Sequence, residues 1–196
     1  MVDVPGSILL LRKLTDSIYP LPEKDWILFA SAWKPCKANR REIITAPGNI
    51  EKFLYFVADG VQRVFYQGEE HEATLVFTYA PSFGGVLDSF LLQQPSKYFY
   101  ETLTPSTFLR ATAQEVQQLM NESQAIQKLV HAGVNRSLAG LMERMTELQC
   151  FSSEEKFKKL LSRSPHILQL VPHKYLANYI GIDPTNFSKL INSLKI

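Results

Sequence analysis

At residues 172–196 the sequence reads PHKYLANYIGIDPTNFSKLINSLKI, and its apolar residues are spaced as in two short helices joined by a tight turn. Leu176, Ala177 and Ile180 recur at helical spacing and predict the inward face of the first helix. Ala177 is small, which would let the second helix cross closely. The inward residues predicted for the second helix are Phe187, Leu190 and Ile191.

The residues of the turn between these helices suit the backbone positions that they occupy. Gly181 stands where the first helix ends, and a positive φ is cheap there only for glycine. Asp183 is placed to cap the second helix, and Pro184 then takes its first position, where a missing N–H costs nothing. Any pair of packed helices needs some of these features, but their combined spacing favours a helix-turn-helix of the DNA-binding kind.

The outward face of the second helix is polar. Side chains of this length can reach base edges in a major groove, and asparagine can pair with adenine. The residues predicted to contact DNA are Thr185, Asn186, Ser188, Lys189 and Asn192, with His173 and Lys174 near the DNA backbone. This face has no arginine, the residue of the commonest base contact, so a module that has lost specific DNA binding is the alternative prediction.

Positive charge is concentrated towards this end of the chain. The formal net charge is +2, yet residues 156–196 contain six lysines and one arginine against the single acid Asp183. A basic end on an acidic body indicates a polyanionic partner such as nucleic acid. The segment SSEEKFKKLLSRSP supplies much of that charge as a helix, with Ser152 or Ser153 as its cap.

The stretch 113–150 contains no proline and is predicted to be one long helix. Its apolar residues step by three and four, a stripe that can pack on its own domain or on a second copy of the chain. We favour a homodimer because the preceding strands have apolar faces of their own to bury. The stripe consists of Val130, Val134, Leu138, Leu141, Met145 and Leu148.

Residues 1–112 are predicted to form a helix followed by short strands. PLPEKDWILFASAW places Trp26, Ile27, Phe29, Ala30 and Trp33 on a helical face. After Pro35, β-branched and aromatic runs alternate with turn signals about every ten residues, which indicates an antiparallel barrel or sandwich. The predicted fold class is therefore α+β, an antiparallel β-barrel or jelly roll followed by a long helix and a small helical domain.

Several other functions have no support in the sequence. Cys36 and Cys150 lie far apart and the four histidines show no paired spacing, so neither a metal site nor an iron–sulfur cluster is predicted. No nucleophile triad, phosphate-binding loop or paired carboxylate set is present; Glu69, Glu70 and Glu72 fit a solvated hairpin turn. No enzyme activity and no cofactor are expected. No signal peptide or membrane span is recognisable, which favours the cytoplasm.

Strands, a long helix and a helix-turn-helix in this order resemble the Crp/Fnr family of bacterial transcription regulators. IITAPGNIEKFLYFVADGVQRVFY is similar to the early strands of its cyclic-nucleotide-binding-like domain, and FGGVLDSFLLQQPSKYFYETLTP to its phosphate-binding cassette. The short members common in Bacteroidetes are the most similar, sharing the DW helix, the LYFV strand and an early stop. The resemblance implies a sensor domain at 1–112, a dimerisation helix at 113–150 and a wingless helix-turn-helix DNA-binding domain at 151–196.

The resemblance also locates a ligand site, with altered chemistry. Cyclic-nucleotide readers of the family carry a glutamate early in the cassette and an arginine near its end; here Gly85 and the pair Ser96-Lys97 stand there. Losing both charged partners removes several kcal/mol, since each is worth about 1.5–3 kcal/mol. Cyclic AMP or GMP is therefore not expected, and either an unidentified small effector or none is left open. The residues this assigns to ligand binding are Phe83, Gly84, Gly85, Ser96 and Lys97.

Overall fold

The computed structural model describes residues 3–193. Within them the helices are α1 (Val4–Ile18), α2 (Glu23–Ser31), α3 (Leu87–Leu92), α4 (Ala113–Glu122), α5 (Gln124–Cys150), α6 (Ser153–Arg163), α7 (Ile167–Leu170), α8 (His173–Tyr179) and α9 (Pro184–Ser193). The strands are β1 (Lys34–Ala38), β2 (Ile43–Thr45), β3 (Phe53–Asp59), β4 (Val61–Gln67), β5 (Glu72–Tyr79), β6 (Ser82–Gly84), β7 (Phe99–Thr102) and β8 (Ser106–Thr112).

The strands form two four-stranded antiparallel sheets, in the orders β1-β8-β3-β6 and β2-β7-β4-β5. Their facing sides share one buried cluster, to which Tyr55 and Phe108 come from the first sheet and Val64 and Tyr100 from the second. The alternation of strand residues thus buries one side of each sheet between them. This arrangement confirms the predicted α+β class and the antiparallel jelly roll.

The outer side of the first sheet is covered by helices. Leu11 of α1, Trp26 and Phe29 of α2 and Ile126 of α5 are buried against Leu109 of β8. Helix α1 was not predicted from the sequence.

The predicted inward face of α2 is wrong at one position, because Ile27 is 62% exposed. The buried stripe passes through Trp26 and Phe29, three residues apart, and Ile27 is turned about 100° away from Trp26.

Residues 113–150 do not form the single continuous helix predicted. The chain breaks at Ser123, which has extended backbone (φ −137°, ψ 119°) and whose side chain accepts a hydrogen bond from the Ile126 amide as the cap of α5. The preceding α4 has its own capping box, formed by Thr112 and Glu115. Hydrogen bonds from Lys34 and Thr112 lower the pKa of Glu115 to about 2.

The C-terminal region has the predicted local design. Ser152 caps α6 with Glu155 in a capping box, and Gly181 has φ +68° in the turn between α8 and α9. Asp183 Oδ1 accepts hydrogen bonds from the Thr185 and Asn186 amides at 2.9 Å each. The final three residues of the predicted domain 151–196, including Lys195, lie outside the described residues.

Candidate nucleic-acid interface and sensor cavity

One face of α9 is anchored in the core and the other is free. Phe187 is fully buried, its ring 5.3 Å from that of Phe157 and 5.7 Å from that of His173. The opposite face is exposed at all five residues predicted to contact bases, Thr185, Asn186, Ser188, Lys189 and Asn192. His173 and Lys174, at the start of α8, are also exposed.

The five outward side chains are not equally free. Asn186 Nδ2 donates to the Asp183 carboxylate, and Ser188 Oγ donates to the Pro184 carbonyl at 2.9 Å. Within residues 3–193, the side chains of Thr185, Lys189 and Asn192 have no hydrogen-bond partner, so these three can reach outward without breaking a contact.

Helix α8 docks on the edge strand β5. The Asn178 side-chain amide accepts from the Thr74 amide and donates to the Glu72 carbonyl, both at 2.5 Å, as a neighbouring strand would. The ring of Tyr179 lies 5.1 Å from that of Phe77 on the same strand. The first helix of the motif therefore supplies hydrogen bonds that the edge strand lacks.

A buried arginine reinforces this junction. Arg63 of β4 stacks between the rings of Phe65 and Tyr175, with its guanidinium carbon 3.9 Å from each ring centroid. It also hydrogen bonds to Glu72 at 2.6 and 3.1 Å and to Glu101 at 2.9 Å. Burial alone would lower the pKa of Arg63, but the two carboxylates outweigh it and raise that pKa. Glu72 is therefore part of a structural ion pair, which corrects its predicted place in a solvated turn.

A second arginine joins α5 to α8. The guanidinium carbon of Arg144 lies 3.9 Å from the Tyr179 ring centroid, and Arg144 Nη1 lies 3.6 Å from Glu147 Oε2. Glu147 also accepts a hydrogen bond from Arg163 of α6 at 2.7 Å. Burial lowers the pKa of Arg144, whose Nη1 and Nη2 find no hydrogen-bond acceptor among residues 3–193.

The residues predicted for the ligand site have different surroundings in the structure. Phe83 packs in the core, its ring 5.8 Å from that of Trp33, and a Cβ on Gly84 would collide with the Tyr100 hydroxyl. The buried Ser96 hydroxyl is hydrogen bonded to the backbone of Tyr98.

Gly85 and Lys97 complete this predicted set. Gly85 has φ +116°, a conformation that disfavours side chains, and Lys97 is exposed. None of the five predicted residues lines the cavity of about 470 Å³ in the jelly roll.

The carboxylate closest to Gly85 comes from elsewhere in the chain. A Cβ on Gly85 would lie 3.6 Å from Glu51 Oε2, and Glu51 is 1% exposed. Its carboxylate accepts from Thr45 Oγ1 at 2.8 Å and from the Val86 and Phe53 amides at 3.3 Å each. Burial raises the pKa of Glu51 against the opposing effect of these hydrogen bonds. No sequence pattern pointed to Glu51, which reaches the cassette only through the fold.

No group of three or more His, Cys, Asp or Glu side chains among residues 3–193 could hold a metal ion. None of the helices in that range has both the length and the apolar character that crossing a membrane requires.

Comparison with known proteins finds similarity in structure but not in sequence. No protein-family profile and no curated protein sequence matches the chain. FixK2 from Bradyrhizobium japonicum superposes with a TM-score of 0.73 at 12% identity, over 83% of this chain and 84% of that one. A variant of CooA from Carboxydothermus hydrogenoformans superposes with a TM-score of 0.68 at 18% identity, over 95% and 84%.

A third solved structure is described as a transcriptional regulator of the Crp/Fnr family, from Eubacterium rectale. It superposes with a TM-score of 0.67 at 14% identity, over 89% of this chain and 84% of that one. Identities this low speak for shared architecture only. The chain therefore has the fold of Crp/Fnr regulators, a cyclic-nucleotide-binding-like jelly roll followed by a helix-turn-helix.

Proposed function

We propose that this chain is a DNA-binding transcriptional regulator of the Crp/Fnr type, akin to the short members found in Bacteroidetes. The observation that carries the proposal is α9, a helix with a capped start, a buried anchor in Phe187 and an exposed polar face. Thr185, Lys189 and Asn192 are its candidate base contacts, with His173 and Lys174 placed for phosphates. The fold shared with such regulators supports the same function.

The proposed working unit is a homodimer paired through α5. Beyond Val134 this helix leaves the core, and its apolar side chains become solvent-exposed. Leu138 is 58% exposed, Leu141 49%, Met142 58%, Met145 54% and Leu148 41%. A stripe of this kind packs well against its own copy. Pairing would present two α9 helices to half-sites about 34 Å apart in successive major grooves.

An effector in the sensor domain would act by shifting a population of conformers. The helix-turn-helix contacts the sensor sheet through α8, so a change in β4 or β5 alters what α8 packs against. A ligand that binds one arrangement more tightly favours that arrangement, without touching DNA.

A salt-titrated binding assay on genomic DNA fragments tests the proposal. We expect a preferred fragment and a salt slope set by several phosphate contacts. Lys189→Ala should weaken binding across sequences and reduce the slope by about one. Lys24→Ala, which changes an exposed lysine on α2, is the matched control and should leave the slope unchanged.

Two outcomes count against the proposal. If no fragment is preferred even at about 50 mM salt, the chain is instead a dimeric ligand-sensing or protein-interaction module that has lost specific DNA binding. If Lys189→Ala binds as tightly as the unchanged chain, the DNA-contacting face has been misplaced.

A further inference from the structure

The cavity of the sensor domain lies where β1, β2, β3 and β8 meet the loop between β2 and β3. Its volume is about 470 Å³, within the range of roughly 300–1,000 Å³ typical of pockets for small organic molecules. Its lining residues all come from outside the cassette, although Glu51, Phe53 and Tyr55 of its wall also lie next to Gly85.

Arg110 gives this cavity an unpaired positive charge. The side chain is half-buried on β8 and its guanidinium carbon lies 4.2 Å from the Phe53 ring centroid. No oxygen atom of residues 3–193 accepts a hydrogen bond from it or forms an ion pair with it. A guanidinium held by a ring, with its donors unused, is suited to a planar anion such as a carboxylate, or to a phosphate.

Neither of the two carboxylates that line the cavity, Glu42 and Glu51, forms an ion pair with Arg110 among the described residues. Glu51 is fully engaged with Thr45 and backbone amides, and Glu42 accepts hydrogen bonds from Asn39. Lys37 and Lys52 also line the cavity, are exposed, and lack an ion-pair partner within the described range. The cavity therefore has an excess of positive charge, which favours an anionic ligand.

The remaining wall is apolar and partly aromatic. It includes Phe53, Tyr55, Phe108, Ile43 and Ile44. Aromatic walls bury flat apolar groups well, so the ligand should carry one beside its anionic end.

We propose that this cavity binds a small organic anion bearing a flat apolar group, with Arg110 as the contact for its carboxylate or phosphate. Binding itself is independent of DNA; only the ligand's role as an effector rests on the proposed function. The site takes the place of the cassette as the ligand site of the sensor domain.

The probe for this test is anilinonaphthalene sulfonate, a fluorescent aromatic anion, with N-phenylnaphthylamine as its uncharged counterpart. The full-length unchanged chain should bind the anion saturably and bind the neutral probe at least about tenfold more weakly. On titration with the anion, backbone amide NMR signals of Phe53, Tyr55 and Arg110 should shift, whereas that of Lys97, which does not line the cavity, should not. This readout needs no DNA, so it fails or succeeds separately from the regulator proposal.

Two matched substitutions then test whether Arg110 supplies the positive charge that binds the anion. Arg110→Met keeps the packing on Phe53 but removes the charge, and should weaken the sulfonate at least about tenfold. Arg110→Lys keeps a charge without the guanidinium fork and should lie between. Lys97→Met removes a cassette charge and should change nothing.

Three results would overturn the proposal. They are equal affinity for the charged and neutral probes, unchanged affinity in Arg110→Met, and shifts confined to the cassette amides. If a variant does not fold, the NMR titration of the unchanged chain still decides.

Discussion

Single residues at the turn of the helix-turn-helix have roles that the neighbouring sequence already predicts. Gly181 adopts φ +68°, a backbone conformation that favours glycine, while a Cβ there would make only an ordinary contact with Leu148 Cδ2. Asp183 accepts from two amides of the first turn of α9, which is the cap predicted for it. Glu51 is different, because its role depends on Thr45, Phe53 and Val86, which the fold brings together.

Glu51 predicts a pH dependence of stability. Its pKa is raised above its ordinary value of 4.5 mainly by burial, so the folded chain holds the proton more tightly than the unfolded chain. The free energy of unfolding should therefore contain a contribution that falls as pH rises from about 4.5 through the raised pKa and is constant above it. Glu51→Gln removes this contribution.

Urea denaturation of both proteins between acid and mildly alkaline pH measures the difference. The stability advantage of the unchanged chain over Glu51→Gln should shrink with rising pH across that window. A difference that stays constant, or grows with pH, would contradict the raised pKa.

At the scale of elements, the junction of α8 with β5 links the helix-turn-helix to the jelly roll. Asn178 satisfies one amide and one carbonyl of the edge strand, and Arg63 is held between the aromatic rings of Phe65 and Tyr175. If α8 moved away, the amide and the carbonyl of the edge strand would lose their hydrogen-bond partner, and the Arg63 guanidinium would lose one of its two stacking rings. The contact therefore stabilises the orientation of the helix-turn-helix relative to the sheets that this structure shows.

Asn178→Ala should loosen this junction. It leaves the Thr74 amide and the Glu72 carbonyl without their partner, at a cost of about 1–3 kcal/mol. Hydrogen exchange at the Thr74 amide, which Asn178 protects, should accelerate by about 5- to 150-fold. Asn192→Ala, on the exposed face of α9, is the control and should not change Thr74 exchange. Equal protection of Thr74 in Asn178→Ala and the unchanged chain would mean that the hydrogen bond does not hold the junction.

At the scale of the whole molecule, α5 both belongs to the core and leaves it. Ile126 and Leu129 are buried against the first sheet, whereas Leu141, Met142 and Met145 face solvent. The first part therefore anchors the helix to the jelly roll, and the second part leaves its apolar side chains exposed.

Leu141→Lys should prevent dimerisation. In the paired arrangement two lysines would face each other across an apolar seam, while in a monomer the residue is already about half exposed. Sedimentation at micromolar concentration should show twice the chain mass of 22.3 kDa for the unchanged protein and the single mass for the variant. Ile27→Lys changes a more accessible apolar residue on α2, 62% exposed, and should remain dimeric. An unchanged chain that sediments as a monomer would remove the basis for pairing.

The sequence alone determined the features that depend on neighbours in the chain. Strand alternation, the caps Ser152 and Asp183, the positive φ of Gly181 and the apolar stripe of α5 arise from residues a few positions apart. They sufficed for the α+β class, the helix-turn-helix and the outward face of α9. Periodicity missed the break at Ser123 because a serine can also stand inside a helix. Its role as the cap of α5 is visible only in the structure.

Only the tertiary structure decided where α8 docks and which residues line the cavity. Asn178 and Thr74 are 104 residues apart, and Glu51 meets Val86 across 35 residues. Glu72, which fits a solvated turn from its neighbours, becomes an ion-pair partner of Arg63 once β4 and β5 pair. Arg110 lines a cavity only because β8 lies between β1 and β3. Local spacing is set by backbone geometry, whereas these partners are selected by packing of the whole chain, which no short window of sequence specifies.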